Sequence, residues 1–327
     1  MPGLGKSGTV RTSCFSGSQL IFPEKCGTCA AIRSLAKQNS PEGATALGQL
    51  LNDPQQSSTL RCEAALDLGD VDQFGVVSML TDAAKQTDDA DVAAAALKAL
   101  GGRDFSETQP FFESFLHSSD VSSELRVAAV EALGGAEGDP TAFLASLLTD
   151  PDDDVRVEAA WALSAVSATG DLATQLVGLL QNETDADVRL RLYQALRNQQ
   201  NVDVSAALSA VQQETDPSAR IAGLDLLGEL LRNNPTPALQ SFFDQTAIPE
   251  LKNDILNAGM FDDQQAAVLA LTRAHTPQAM QAIQEAAQQQ AAQQQAQADA
   301  AQAQAQAQAQ NQPPPGSPVP KPQNKNP

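Results

Sequence analysis

The fold is decided by residues 150–163, DPDDDVRVEAAWAL, because relatives of this stretch recur along the chain. Aligning the relatives on Arg156 gives seven copies, and we call the aligned position the anchor. Consecutive anchors lie 30 to 33 residues apart. A period of this length is typical of proteins built from stacked structural repeats. The anchor residues are Arg61, Ala93, Arg126, Arg156, Arg189, Arg220 and Lys252.

Each copy has the spacing of an amphipathic helix. The residue before the anchor is apolar in all seven copies, and the positions four and eight residues later continue the same helical face. Small residues such as Ala129 and Ala159 on this face allow neighbouring helices to approach closely. The last apolar position is leucine in the first six copies: Leu68, Leu100, Leu133, Leu163, Leu196 and Leu227.

Both ends of these helices carry sequence signals. Polar residues four positions before the anchor are typical N-caps, since their side-chain oxygens can accept a bond from a free backbone N–H. Pro217 and Pro249 occupy the first helical position, where proline is tolerated. We expect Gly69, Gly101, Gly134 and Gly228 to be left-handed C-caps. The predicted N-caps are Ser57, Asp89, Ser122, Asp152, Asp185 and Asp216.

A second set of apolar segments alternates with the anchor-containing helices. Two helices in about 32 residues cannot bury their own apolar faces, so neighbouring pairs must stack. We therefore predict an all-α fold, an α-solenoid that forms a right-handed superhelix of about seven two-helix repeats. Segments of the second set are Thr141–Leu148, Leu172–Leu180, Val204–Val211 and Ala238–Phe243.

Residues 150–163, together with ETDADVR at residues 183–189, resemble the short bacterial HEAT-like repeats of the phycobilisome lyase type. The resemblance covers approximately residues 43–260 and implies a HEAT-like fold. The family it points to includes lyase subunits and scaffolds, so the fold does not decide the function.

Composition divides the chain into four parts. Residues 1–40 form a partly irregular segment with three of the four cysteines, and residues 41–280 hold the repeats. Residues 281–311 are rich in Gln and Ala and predict a helical or disordered spacer. Residues 312–327 are rich in proline and predict a disordered tail, which serves as a tether or docks on a partner.

The charge of the repeat region limits the class of partner. Residues 41–280 carry 37 acidic and 13 basic side chains, a net charge of −24. Such a surface repels phosphate backbones, so we expect no nucleic-acid partner. Another protein is the expected partner, with a basic protein as one candidate, although acidity can also serve solubility alone. The sequence predicts no oligomeric state.

The basic anchors Arg61, Arg126, Arg156, Arg189, Arg220 and Lys252 have two interpretations. We expect each to pair with an acidic residue of an adjacent repeat, forming a structural ladder along the stack. Exposed pairs of this kind contribute about 0–1 kcal/mol each. The second interpretation is a basic stripe that binds a ligand.

The cysteines are the main candidates for chemistry. Cys26 and Cys29 form a Cys-x-x-Cys pair, and Cys14 and Cys62 could complete a metal site, although the spacings match no familiar zinc module. The same residues could instead form a disulfide bond or remain as plain reduced thiols. We predict no cofactor.

Other motifs for catalysis are weak. The histidines, His117 and His275, stand at the ends of helical segments, where they act as caps. The acidic run at residues 152–154 is interpreted as helix capping, because it lacks the glycine and spacing of a calcium loop. We therefore predict no catalytic residue.

The sequence favours a non-enzymatic protein-binding scaffold over a bilin lyase-type subunit, which is the second hypothesis. The 13 aromatic residues are few for a tetrapyrrole pocket, which requires stacking side chains. No apolar run is long enough to span a membrane, and residues 1–20 lack the apolar core of a signal peptide. We expect a cytoplasmic protein by default, or a periplasmic or secreted one if translation starts further upstream.

Overall fold

The structure is a computed structural model that describes residues 27–86, 89–165 and 171–310. Regular structure in these ranges is helical, apart from one isolated bridge between Asp104 and Glu137. The helices are α1 (Gly27–Gln38), α2 (Pro41–Asn52), α3 (Ser58–Gly69), α4 (Val76–Ala84), α5 (Ala90–Gly101), α6 (Phe105–Leu116), α7 (Ser123–Leu133), α8 (Thr141–Leu147), α9 (Asp153–Ser164), α10 (Leu172–Leu180), α11 (Ala186–Arg197), α12 (Val204–Gln213), α13 (Pro217–Asn233), α14 (Pro237–Phe242), α15 (Ile248–Asn257), α16 (Phe261–Ala274) and α17 (Pro277–Gln310).

The predicted all-α solenoid is confirmed. Every anchor lies in a helix, and we call α3, α5, α7, α9, α11, α13 and α15 the anchor helices. The described residues fall into two compact units, which divide between Leu226 and Leu227. Within the first unit, each anchor helix from α3 to α9 packs on the next anchor helix, and α2, α4, α6, α8 and α10 each pack on the anchor helix that follows them.

The predicted register of the anchor helices is also confirmed. Leu100, Leu133 and Leu163 are fully buried, and so are the small residues Ala129 and Ala159. Within the first unit, these repeated positions form a layer of leucine and alanine between the stacked anchor helices.

The predicted left-handed glycine C-caps are wrong. Gly69 and Gly101 are the last residues of α3 and α5, Gly134 has a right-handed φ of −63°, and Gly228 lies inside α13. Close helix packing explains all four glycines, including Gly228, whose Cβ would lie 2.9 Å from the backbone oxygen of Ala270 on α16. A Cβ at Gly101 would overlap the backbone oxygen of Ala132 on α7, and Gly69 and Gly134 likewise face alanines of the next anchor helix at 3.2 Å.

Helix α1 packs against α2 and α3, so helical packing in the first unit begins before residue 41. Cys14 and Cys26 lie outside the described residues, as does the proline-rich tail with its predicted docking role.

The second unit departs from the simple repeat. A π-helical stretch, Phe243–Ala247, joins α14 to α15 without a loop. Helix α17 packs against α15 and α16 with its N-terminal part, where Gln290 Nε2 donates to the carbonyl of Ile255 at 2.8 Å. Residues 291–306 of the same helix are exposed. The Gln/Ala-rich segment therefore continues the last helix into solvent.

Within the described residues, no helix combines the length and apolar character needed to cross a lipid bilayer.

Candidate functional site

The six predicted N-cap residues lie at the starts of six anchor helices. Each accepts a hydrogen bond through a side-chain oxygen from a backbone N–H two or three residues later. These bonds satisfy donors that have no partner inside the helix. The six residues are Ser57, Asp89, Ser122, Asp152, Asp185 and Asp216.

Arg156 and Arg189 each bind a carboxylate of the following repeat through two nitrogens. Arg156 Nε and Nη2 donate to Glu183 at 2.9 and 3.1 Å. Arg189 Nε and Nη2 donate to Glu214 at 2.8 and 2.9 Å. This two-point geometry fixes orientation as well as charge, so it is the stronger form of ion pair.

The same carboxylates organise the start of the next anchor helix. Glu183 Oε1 accepts from the backbone N–H of Asp185 at 2.8 Å, and Glu214 Oε1 accepts from that of Asp216 at 3.0 Å. Burial alone would raise the pKa of Glu214, but the hydrogen bonds from Arg189 and the backbone outweigh burial and lower the pKa. Glu214 is therefore held as a carboxylate.

Arg61 and Arg126 use capping aspartates as acceptors. Arg61 Nη1 lies 3.2 Å from Asp89, and Arg126 contacts both Asp150 and Asp152. The Nε of each arginine also donates to a backbone carbonyl near the end of the preceding helix, at 2.9 Å for Arg61 and 3.0 Å for Arg126. Each guanidinium thus joins the end of one helix, its own helix and the start of the next anchor helix.

The remaining basic anchors make related contacts. Arg220 Nη1 donates to the carbonyl of Val211, and Lys252 pairs with Glu285 of α17 inside the second unit. We call the basic anchors and their acceptors the ladder face. Sequence reasoning did not name the acceptors. A signal existed, since Asp150, Glu183 and Glu214 each stand two residues before a predicted N-cap.

The other predicted candidates lie apart from this face. Cys29 and Cys62 are buried on α1 and α3. Across the described ranges, no group of three or more His, Cys, Asp or Glu side chains is arranged to hold a metal ion. His117 is the C-cap of α6, with Nδ1 2.7 Å from the carbonyl oxygen of Glu113, and His275 follows α16 in a left-handed conformation.

A second charged surface lies on the anchor helices, at the positions two and five residues after the anchor. Trp161 of α9 is 49% exposed there, and the guanidinium of Arg191 from α11 lies 4.5 Å from the centre of the indole ring. Arg191 Nη1 also donates to Gln194 at 2.9 Å. Glu158 of α9 lies two residues after its anchor, and Glu131 of α7 lies five residues after its anchor. We call these five residues the Trp161 cluster.

Within this cluster, the surroundings of Glu158 disfavour its charged form. Burial, followed by repulsion from the Glu131 carboxylate, raises the pKa of Glu158 to about 7, and Arg191 opposes the shift. A second positive charge close to Glu131 and Glu158 would therefore stabilise both carboxylates.

Two further ion pairs each place one acidic side chain at these positions, Glu63 on α3 and Asp225 on α13, with a basic partner on a neighbouring helix. Arg33 pairs with Glu63 at 2.8 Å, and Arg197 pairs with Asp225 at 2.8 Å. Beside the first pair, burial and then repulsion from Glu63 raise the pKa of Asp67 to about 6. Sequence reasoning missed this surface. Helical periodicity could have found it, since Trp161 lies two residues after the buried Ala159 and so faces away from the core.

Comparison with characterised proteins yields no significant sequence match. Among solved structures, human deoxyhypusine hydroxylase in complex with glycerol is 21% identical, with a TM-score of 0.36, 79% of this chain covered and 92% of the other. YibA of Escherichia coli is 19% identical, with a TM-score of 0.44, 75% of this chain covered and 85% of the other. The CpcE–CpcF complex of phycocyanin lyase from a Nostoc species is 20% identical, with a TM-score of 0.30, 66% of this chain covered and 87% of the other.

Likeness at this level gives no information about activity. The family comparison is more specific, because the pattern of HEAT repeats matches residues 28–101, 77–164 and 109–197. These overlapping matches extend over more than half of the chain and include the first five anchors. The chain belongs to the HEAT-repeat family.

Proposed function

We propose that this chain is a non-enzymatic protein-binding scaffold whose acidic helical surface receives a basic partner protein. The distribution of charge along the chain is the main support for this proposal. Residues 41–280 contain 13 basic side chains, and six of them are anchors of the ladder face. The same region holds 37 acidic side chains, so 24 of them have no basic side chain of the region to pair with one to one, and many of the acidic side chains are exposed.

A surface of one sign of charge acts over a distance. It attracts oppositely charged partners, increases their rate of association and loses this effect as salt screens the charges. Stacked repeats add a long surface on which many such contacts act together. Affinity should therefore depend on the partner's positive charge and fall steeply with ionic strength.

The test uses the full chain as bait in crosslinking from its native cells, at low and at high salt. We expect basic proteins to be enriched at low salt and lost at high salt. A variant with exposed acids neutralised, E124Q/D154N/D187N, should recover less of the same partners. Recovery of partners without excess positive charge and without salt dependence would contradict the proposal.

A separate assay addresses the lyase hypothesis. The chain is coexpressed with a bilin and a phycobiliprotein subunit, and covalent attachment is followed by absorbance. We expect no attachment above the control that lacks the chain. Attachment that depends on the chain would replace the scaffold proposal by the lyase-type function.

A further inference from the structure

The Trp161 cluster occurs once in the stack. The position five residues after the anchor is Lys98 on α5, Glu131 on α7, Trp161 on α9, Gln194 on α11 and Asp225 on α13. Contacts that only stabilise a repeat protein recur with the repeat, as the ladder face does. A set of side chains that is found at one place is instead what we expect of a site that binds one chemical group of a partner.

The exposed indole of Trp161 favours the binding of a cation at this cluster. Trp161 is the only tryptophan in the chain, and half of its surface is open to solvent. Arg191 approaches the ring from α11, while Glu131 belongs to α7 on the other side of α9. An aromatic ring attracts cations to its faces, and a guanidinium stacks on tryptophan particularly well.

The carboxylates of Glu131 and Glu158 also favour the binding of a cation. Glu158 is half-buried, and Glu131 adds a second negative charge to its surroundings. The positive charge of Arg191 offsets part of the effect on Glu158. A positive group arriving from the partner would reduce the repulsion between the two carboxylates and would contact the indole at the same time.

We propose that the Trp161 cluster binds an arginine side chain of the partner protein, stacked on the indole of Trp161 and paired with the carboxylates of Glu131 and Glu158. This inference rests on the proposed function and assigns that function one site. Arginine fits better than lysine because its planar guanidinium can stack and pair with carboxylates simultaneously, whereas an ammonium is a compact point charge.

The fluorescence of Trp161 reports directly on the site, since no other tryptophan contributes. The full chain is titrated at low salt with octa-arginine, octa-lysine and octa-glutamate peptides, and affinity is measured in parallel by calorimetry. We expect a saturable change in emission with octa-arginine and binding about fivefold weaker with octa-lysine. Octa-glutamate should leave the emission unchanged.

Two double variants with the same change of charge locate the binding. E131Q/E158Q removes the carboxylates of the cluster, and E107Q/E113Q removes two exposed carboxylates of α6. We expect about tenfold weaker octa-arginine binding for the first variant and less than about twofold for the second. Circular dichroism and thermal melting establish that both variants are folded.

The outcomes separate this inference from the proposed function. Equal loss of affinity in both double variants, or unchanged Trp161 emission on binding, would overturn the arginine site while leaving a general acidic binding surface in place. Equal affinity for octa-lysine would overturn the arginine preference. Failure of every basic peptide to bind would remove the proposed function together with the site.

Discussion

Arg189 and Arg191 lie two residues apart on helix α11, yet they belong to surfaces of different kinds. Arg189 binds Glu214 through two nitrogens, in an arrangement that recurs at Arg156 and Glu183 in the repeat before. Arg191 stacks on Trp161, in an arrangement that has no counterpart on the neighbouring anchor helices. Repetition with the period of the fold indicates a role in stability, whereas the contact made once is the one to which we assign recognition in our proposal.

The largest expected difference in stability is between a substitution in the core and a substitution in the Trp161 cluster, both on helix α9. Ala159 is fully buried, so A159E should cost about 4 kcal/mol through overpacking and a buried charge. W161E places the same side chain two residues later on an exposed position and should cost less than about 1 kcal/mol. Urea unfolding of both variants measures the difference. Equal losses would show that the anchor helix has a different register.

The two arginines of α11 provide the next contrast. R189M leaves the carboxylate of Glu214, whose side chain is 2% exposed, without its guanidinium and should cost about 3 kcal/mol. R191M should cost less than about 1 kcal/mol, because it breaks contacts at a partly exposed aromatic ring. Adding E214Q to R189M should restore part of the lost stability. An equal cost for R191M would make the Trp161 cluster a structural feature.

Much of this arrangement follows from the sequence, for a definite reason. The apolar positions around Leu100, Leu133 and Leu163 repeat with the period of a helix inside each copy and with the period of the repeat between copies. Both periods require the same buried face, so the anchor helices and their register were predictable. The acceptors Glu183 and Glu214 also follow a fixed spacing to the N-caps, which the sequence contains and our reasoning did not use.

Other features depend on contacts between helices that a single-sequence pattern does not specify. A glycine at the end of a helix suits either a left-handed cap or a close approach of another helix, and Gly101 serves the second purpose. The Trp161 cluster combines side chains from three helices, so the environment of Glu158 depends on how α7, α9 and α11 stack. The π-helical stretch Phe243–Ala247 runs directly into α15, so Pro249 lies within a continuous helical segment and not at the free helix start that we predicted.

The glycines extend the contrast between a repeated contact and an exposed position. G101A should destabilise the chain by about 1–2 kcal/mol, because its Cβ would overlap the backbone oxygen of Ala132. Gly178 is exposed on α10 with no atom near its Cβ position, so G178A should instead stabilise by about 1 kcal/mol through higher helix propensity. Thermal melting shows whether each substitution raises or lowers the stability. A gain from G101A would contradict the close packing of α5 on α7.

The smallest expected effect is a dependence of stability on pH that belongs to the Trp161 cluster. The pKa of Glu158 is raised from its ordinary value of 4.5 to about 7, by burial and by Glu131 of α7, against the charge of Arg191 from α11. The folded state therefore holds this proton more tightly than the unfolded state does. The stabilising contribution is complete below the unfolded pKa of 4.5 and is lost as the pH rises through about 7.

Measuring the free energy of unfolding of the wild type and E158Q between acid and mildly alkaline pH tests this origin. Since Glu158 keeps some contact with water, we expect the loss to reach about 1 kcal/mol in the wild type and to disappear in E158Q. In R191M the loss should extend to higher pH, because the charge that favours the carboxylate is gone. Parallel pH profiles for the wild type and E158Q would mean that folding does not raise the pKa of Glu158. In that case the Trp161 cluster would resemble the ladder face, with its charges already compensated and no electrostatic preference for a further cation.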